Sequence, residues 1–154
     1  MTTVTEAKSD EDICHIRALF LDYSNSLGFE LDFQHFDSEV ENLPGEYSPP
    51  DGCLLLAHCD GELAGCIAMR KISGDICEMK RLYVRPSFRS KGVGRLLSES
   101  LIERARDHGY KSMRLDTLES MKEATSLYRS LGFADTDPYR YNPLEGATYL
   151  ELPL

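Results

Sequence analysis

Apolar residues along the chain change their spacing several times, and each change marks an element. Over 9–28 they recur every three or four positions. Ile13, Ile16, Phe20 and Leu27 form one stripe, which predicts a helix. Ser9 with Asp12 three residues on is an N-cap pattern, and Gly28 suits the far end. A shorter helix is expected over about 34–43, before Pro44-Gly45, and EYSPPDG reads as loop. CLLLAHC and ELAGCIAMRKI are apolar runs flanking Asp60-Gly61, a strong hairpin signal. DICEMKRLYVRP predicts another strand, closed by Pro86. Helical spacing returns over 91–108, with Val93, Leu97, Leu101 and Ala105 on one face and Gly109 as the stop. KSMRLDTL reads as a strand. SMKEATSLYRSLGF reads as a helix with a Ser120/Glu123 capping box and Gly132 as its cap. The tail, 139–154, reads as one or two strands around NPLEG, and a short strand can precede the first helix. The order α-α-β-β-β-α-β-α-β(-β) predicts an α/β fold, a mixed sheet with helices packed on it.

Length and composition narrow the class. At 154 residues, 42% apolar and 28% charged, the chain is expected to form one domain over 1–154 with a real core. No apolar run reaches the ~20 residues of a membrane helix, and the acidic, polar N-terminus does not read as a signal peptide. Five cysteines, with no CxxC pair, fit free thiols in a reducing cytoplasm. His58, Cys59 and Cys66 are a poor zinc set, and no metal is expected.

Charge is unevenly placed. The net charge is −9, yet residues 1–69 carry 2 Lys/Arg against 14 Asp/Glu, and residues 70–95 carry 8 against 2. A basic island in an acidic chain suggests an anionic ligand held at one place, and a solvated basic stretch explains it equally well. Neither nucleic acid nor membrane is expected as a partner. A homodimer is left open.

The island ends in RPSFRSKGVGRLL, between a predicted strand and a predicted helix. A helix N-terminus offers unpaired N–H groups, and glycines there let a phosphate approach the backbone. A tight turn would use the same glycines. The P-loop is excluded because Lys91 precedes both glycines, and the dinucleotide fingerprint because Leu97 stands where it needs a third.

Arg89-Ser90-Lys91-Gly92-Val93-Gly94 resembles the R/Q-x-x-G-x-G/A signature of the GNAT N-acetyltransferases, whose loop holds the pyrophosphate of acetyl-CoA. Glu78, eleven residues earlier, matches the spacing of the family's catalytic glutamate. Leu127-Tyr128-Arg129-Ser130-Leu131-Gly132-Phe133 resembles its LYxxLGF segment. The resemblance is strong over 75–133 and compatible elsewhere. It implies a GNAT-like sheet of about six to seven strands with about four helices, and an acetyl-CoA-dependent N-acetyltransferase acting on a small-molecule or peptide amine by direct attack. A non-catalytic acyl-CoA sensor on the same fold is the alternative.

By that resemblance Arg89, Ser90, Lys91, Gly92, Val93, Gly94 and Arg95 hold the pyrophosphate. Main-chain groups of Leu82, Tyr83 and Val84 pair with pantetheine and stabilise the oxyanion. Glu78 takes the amine proton and Tyr128 serves the leaving thiolate. On the residues alone Glu78 reads as well as a cross-strand ion pair, and Tyr128 as core of its helix. Met121 departs from the pattern, since many family members carry Asn there. Phe20, Tyr23, Phe33, Phe36, Tyr47, Tyr139 and Tyr141, among many carboxylates, read either as an acceptor rim suited to a cationic amine or as core with solvated acids.

Overall fold

The computed structural model describes residues 1–27, 35–118, 120–140, 142 and 146–154. Strand β2 (Cys53–Cys59) is apolar at nearly every position because both of its faces are covered. Leu55 and Ala57 join the core under helices α3 (Val93–Asp107) and α4 (Lys122–Ser130). Leu54 and Leu56 join the core under α1 (Asp10–Leu27) and α2 (Phe36–Glu41). The sheet is therefore sandwiched between helices, and the two-residue alternation of strands assigns each side chain to a layer.

The described residues form seven strands, adding β1 (Thr2–Glu6), β3 (Glu62–Ser73), β4 (Ile76–Val84), β5 (Ser112–Leu118), β6 (Ala134–Asp135) and β7 (Ala147–Pro153). Their order is β1-β2-β3-β4-β5-β7-β6, antiparallel except for β4–β5. Asp60 and Gly61 both have positive φ, 50° and 86°, as the hairpin they were expected to make requires. The Ser9/Asp12 cap is reciprocal: Asp12 N–H donates to Ser9 Oγ at 3.0 Å, and Ser9 N–H donates to Asp12 Oδ2 at 3.3 Å. No helix among the described residues is long and apolar enough to cross a membrane.

Three element boundaries depart from expectation. Helix α3 starts at Val93 rather than Lys91, because Ser90 (φ 63°) and Gly92 (φ 80°) are left-handed and cannot be helical. Helix α4 has Met121 as its N-cap, since the Met121 carbonyl accepts the first helical bond, from Thr125 N–H at 3.0 Å. No side-chain cap forms, so the Ser120/Glu123 box is absent. The outer edge of β7 is paired by Ala134–Asp135, earlier in the chain than the expected tail strand. Gly28, Phe33, Tyr141 and most of NPLEG lie outside the described residues.

One irregularity governs the centre of the sheet. Between the β3–β4 pairs Ala68↔Lys80 and Cys66↔Tyr83, β3 has one residue and β4 has two. Arg81 in this bulge sits at φ 60° without being glycine, which costs roughly 1 kcal/mol or more. Its guanidinium is buried and forked onto Glu39 of α2, with Nε at 2.9 Å and Nη2 at 3.1 Å, above the Phe36 ring. Before the bulge is reached, β4 has already left β5. Their parallel pairing covers Ile76↔Ser112, Cys77↔Met113 and Glu78↔Arg114, and the strands then diverge.

Glu39→Ala should therefore cost about 3–5 kcal/mol, because it leaves the Arg81 guanidinium buried without its carboxylate. Urea unfolding measures this, and a loss below 1 kcal/mol would show that the fork does not hold the bulge.

Candidate active site

Divergence of β4 from β5 opens a narrow cavity between the two strands, walled by Met79, Leu82, Leu115 and Leu118 and floored by Tyr128. It is continuous in its lining with a cleft of about 750 Å³ that runs over the start of α3. Leu82, Tyr83, Val84, Arg89, Ser90, Gly92, Val93, Gly94 and Arg95 all line this cleft. Lys91 does not; its ammonium lies 5.7 Å from the Phe88 ring.

The glycine turn has a backbone geometry suited to an anion. Ser90 and Gly92 are both left-handed, which gathers successive N–H groups into a concavity at the positive end of α3. Gly92 is demanded by its backbone angle. Gly94 is not, because a Cβ there would meet only ordinary contacts, Leu127 Cδ2 at 3.6 Å and Val84 Cγ2 at 3.8 Å. Its bareness serves the open side of the cleft.

The basic island divides in two. Arg70, Lys80, Arg81 and Arg85 each face an acid of the first half of the chain: Glu46, Glu39, Glu39 and Asp22. Arg89, Lys91 and Arg95 are exposed at the turn and make no ion pair among the described residues. Arg89 Nε donates to the Val84 carbonyl at 3.0 Å, and Arg95 Nη2 to Ser130 Oγ at 2.5 Å. Lys71, the eighth cation, is exposed on β3, away from the turn, so the charge without an ion pair at the turn is that of Arg89, Lys91 and Arg95.

Glu78 lies one strand pair before the divergence and is 0% exposed. Its cross-strand partner is Arg70, whose Nε donates to Oε1 at 2.7 Å. The Tyr139 hydroxyl donates to Oε2 at 2.5 Å, with Arg140 Nε 3.6 Å away. Burial alone would raise its pKa; Lys80, Arg140 and Arg70, with the Tyr139 hydrogen bond, outweigh burial and hold the carboxyl below its usual 4.5. Tyr128 packs edge-on against Phe133 at 5.9 Å, so its ring belongs to the core. Its hydroxyl makes no hydrogen bond among the described residues, and burial, then Tyr23 and Asp116, raise its pKa. It stays protonated, a donor beside the cavity. Met121 lines both spaces, with its sulfur 3.9 Å from the Thr117 hydroxyl.

Residues that the sequence left unmarked complete the surroundings. Arg140 gives Nε and Nη2 to Asp116 at 3.0–3.3 Å. Arg70, Lys80 and Arg140 line a second cavity, of about 380 Å³, on the α2 side of β4. The acids once read as a rim for a cationic amine are largely tied to arginines there.

A cleft between splayed parallel strands, running onto a glycine turn at a helix N-terminus, has the shape of a site for an extended phosphorylated ligand. The comparisons make that class specific. The Acetyltransferase (GNAT) family profile matches residues 13–133, and the chain belongs to that family. It is 38% identical over 154 residues to an "uncharacterized N-acetyltransferase" of Schizosaccharomyces pombe, covering 99% of this chain and 94% of the relative. A GNAT acetyltransferase structure from Staphylococcus aureus has the same fold at TM-score 0.80 and 16% identity, with 99% of each chain covered. PaiA N-acetyltransferase from Thermoplasma acidophilum, solved with coenzyme A, matches at TM-score 0.76 and 20% identity, covering 100% of this chain and 99% of that one. The protein is accordingly an acyltransferase of the acetyl-CoA-dependent GNAT class.

The two glycines should separate under substitution. Gly92→Ala should lose about 1 kcal/mol, because alanine resists a left-handed φ. Gly94→Ala should leave stability unchanged or raise it by up to about 1 kcal/mol, because alanine is the better helix residue. Thermal melts of the free protein check both. Acetyl-CoA should raise the Tm of Gly94→Ala less than that of the parent.

Proposed function

We propose that this protein transfers an acetyl group from acetyl-CoA to a primary amine, small-molecule or peptide, by direct attack with both substrates bound. The observation that carries the reading is the β4–β5 divergence opening onto the glycine turn, with Arg89, Lys91 and Arg95 unpaired beside it. Arg89 to Arg95 and the α3 N-terminus hold the pyrophosphate. Pantetheine lies along Leu82–Val84, where β4 has no ladder partner on its β5 side and its main-chain groups need one. The thioester then sits near Tyr128. A main-chain N–H of the same strand stabilises the oxyanion, and the Tyr128 hydroxyl donates to the departing thiolate. The Thermoplasma acidophilum complex with coenzyme A supports the identity of the donor.

Glu78 serves as the proton acceptor. With no exposed surface it cannot touch the amine, so the proton passes through the Tyr139 hydroxyl or a single water. As nitrogen attacks, its proton moves to the Tyr139 oxygen while that hydroxyl's own proton moves to Glu78 Oε2.

Incubation with acetyl-CoA and a broad amine panel, with detection of free thiol, tests the activity. Thiol release with no amine would overturn direct transfer. Glu78→Gln should bind acetyl-CoA like the parent and turn over ~10²–10⁴-fold more slowly at pH 7, and the deficit should shrink as pH rises and free amine accumulates. Because Glu78's carboxyl is held below 4.5, its contribution to stability is present above that pH and lost as pH falls through the folded value. Glu78→Gln should therefore also flatten part of the acid limb of the stability curve. Parental turnover in this variant would make Glu78 structural.

Tyr128→Phe keeps the ring and should leave stability nearly unchanged, since the lost hydroxyl has no partner to orphan. Turnover should fall ten-fold or more, about 1.4 kcal/mol of barrier, at unchanged acetyl-CoA affinity. Steady-state kinetics on the best acceptor decide it.

A further inference from the structure

The cavity of about 380 Å³ on the α2 side of β4 shares Lys80 and Arg140 with the narrow cavity between β4 and β5. An amine that reaches the thioester from that side must therefore pass these two cations. Lys80 is buried and poorly paired. Among the described residues one carboxylate stands within ion-pair reach of Nζ, Glu39 at 4.0 Å, and both oxygens of Glu39 already receive the Arg81 fork. Arg70 is committed to Glu78 and Glu46, and Arg140 gives two nitrogens to Asp116.

A second, independent feature lies in the same wall. Tyr47 is 2% exposed, and its buried hydroxyl has no hydrogen-bond partner among the described residues. Burial first, then the charge of Glu39 and a polar approach to it, raise that hydroxyl's pKa, yet the approach falls short of hydrogen-bond geometry. A buried hydroxyl without a partner is destabilising, and a buried ammonium without a close carboxylate more so. Both deficits end if the cavity's occupant brings oxygen acceptors and one negative charge.

We propose that the acceptor is an amine that also bears a carboxylate, and that Lys80 and Tyr47, with Arg140 beside them, hold that carboxylate in this cavity. The proposal deepens the acetyl-transfer reading and rests on it. A single uncommitted ammonium with one neutral hydroxyl matches a monoanion. A phosphate would need further free cations, and the two arginines here already hold acids. Burial, then neighbouring Arg81, lower Lys80's pKa to about 8 against the pull of Glu78 and Glu39, so the ammonium is present at neutral pH but costly. An acceptor carboxylate would relieve that cost.

The test compares matched acceptors: amino acids, their methyl esters and amides, and the amines left by decarboxylation. The acids should exceed their esters and decarboxylated forms at least ten-fold in kcat/KM. Lys80→Met should erase that preference through KM, with acetyl-CoA affinity unchanged. Tyr47→Phe should raise the Tm while raising KM for the acids, a combination that a merely structural tyrosine would not give. Equal or better use of esters and decarboxylated amines would overturn the carboxylate site and leave acetyl transfer standing. A second arm needs no turnover: N-acetylated amino acids should raise the Tm of the parent in the presence of coenzyme A, and their methyl esters and Lys80→Met should show no such effect. That shift without acetyl transfer to any amine would sink the reaction and keep the site. No difference between acid and ester in this arm would overturn the site.

Discussion

The Arg81–Glu39 fork is the interaction on which the rest of the site depends. A left-handed arginine in the middle of a strand is unfavourable by itself, and a buried guanidinium is worse. Glu39 makes both tolerable by meeting two guanidinium nitrogens from a helix 42 residues away in sequence. The bulge so fixed follows closely on the end of the β4–β5 ladder at Glu78, in the stretch of β4 that borders the cavity beside Tyr128.

The same pairing explains the odd charge distribution. Acids of the first half of the chain meet arginines of the middle: Glu46 with Arg70, Glu39 with Arg81, Asp22 with Arg85. Only Glu39–Arg81 among these is buried, and the partly exposed pairs add little stability. Their placement, on β3, on β4 and just past its end, is therefore better understood as positioning. Cross-strand Arg70 and the Tyr139–Arg140 segment grip Glu78 from two directions, which fixes a buried carboxylate that would otherwise have several rotamers.

What could be read in the sequence was what local chemistry decides. The Asp60-Gly61 turn, the Ser9 cap, the stripe of α3 and the glycine turn all follow from side chains a few positions apart. Glu78 and Tyr128 stood out only through spacing and resemblance, and neither role follows from packing alone. The bulge was invisible, because MKRLYV carries no glycine and reads as ordinary strand; its cause lies in Glu39. The Ser120/Glu123 box was legible but misleading, since the chain turns one residue later and Met121's carbonyl opens the helix. In the tail, 147–153 forms one of the one or two strands expected there, while Tyr139 and Arg140 are drawn inward to Glu78 and Asp116 and the edge of β7 is filled by residues leaving α4.

The cations around Glu78 raise a difficulty for the proposed function and also resolve it. A carboxyl held below 4.5 is a poor base for an alkylammonium near 10; full transfer would be uphill by more than about 7 kcal/mol. That would be serious if the acceptor arrived protonated. In a cavity that Lys80, Arg70 and Arg140 line, however, positive charge disfavours the ammonium form of any bound amine and lowers its pKa. In the proposed reaction the amine then reaches the thioester with a larger share of free base than in water. Attack makes nitrogen cationic and its protons far more acidic, and only then does a weak, fully ionised carboxylate need to accept one. Depressing Glu78 and depressing the amine are two effects of one set of charges. The acceptor carboxylate supplies what keeps such a cationic pocket attractive to a substrate whose reactive end it repels.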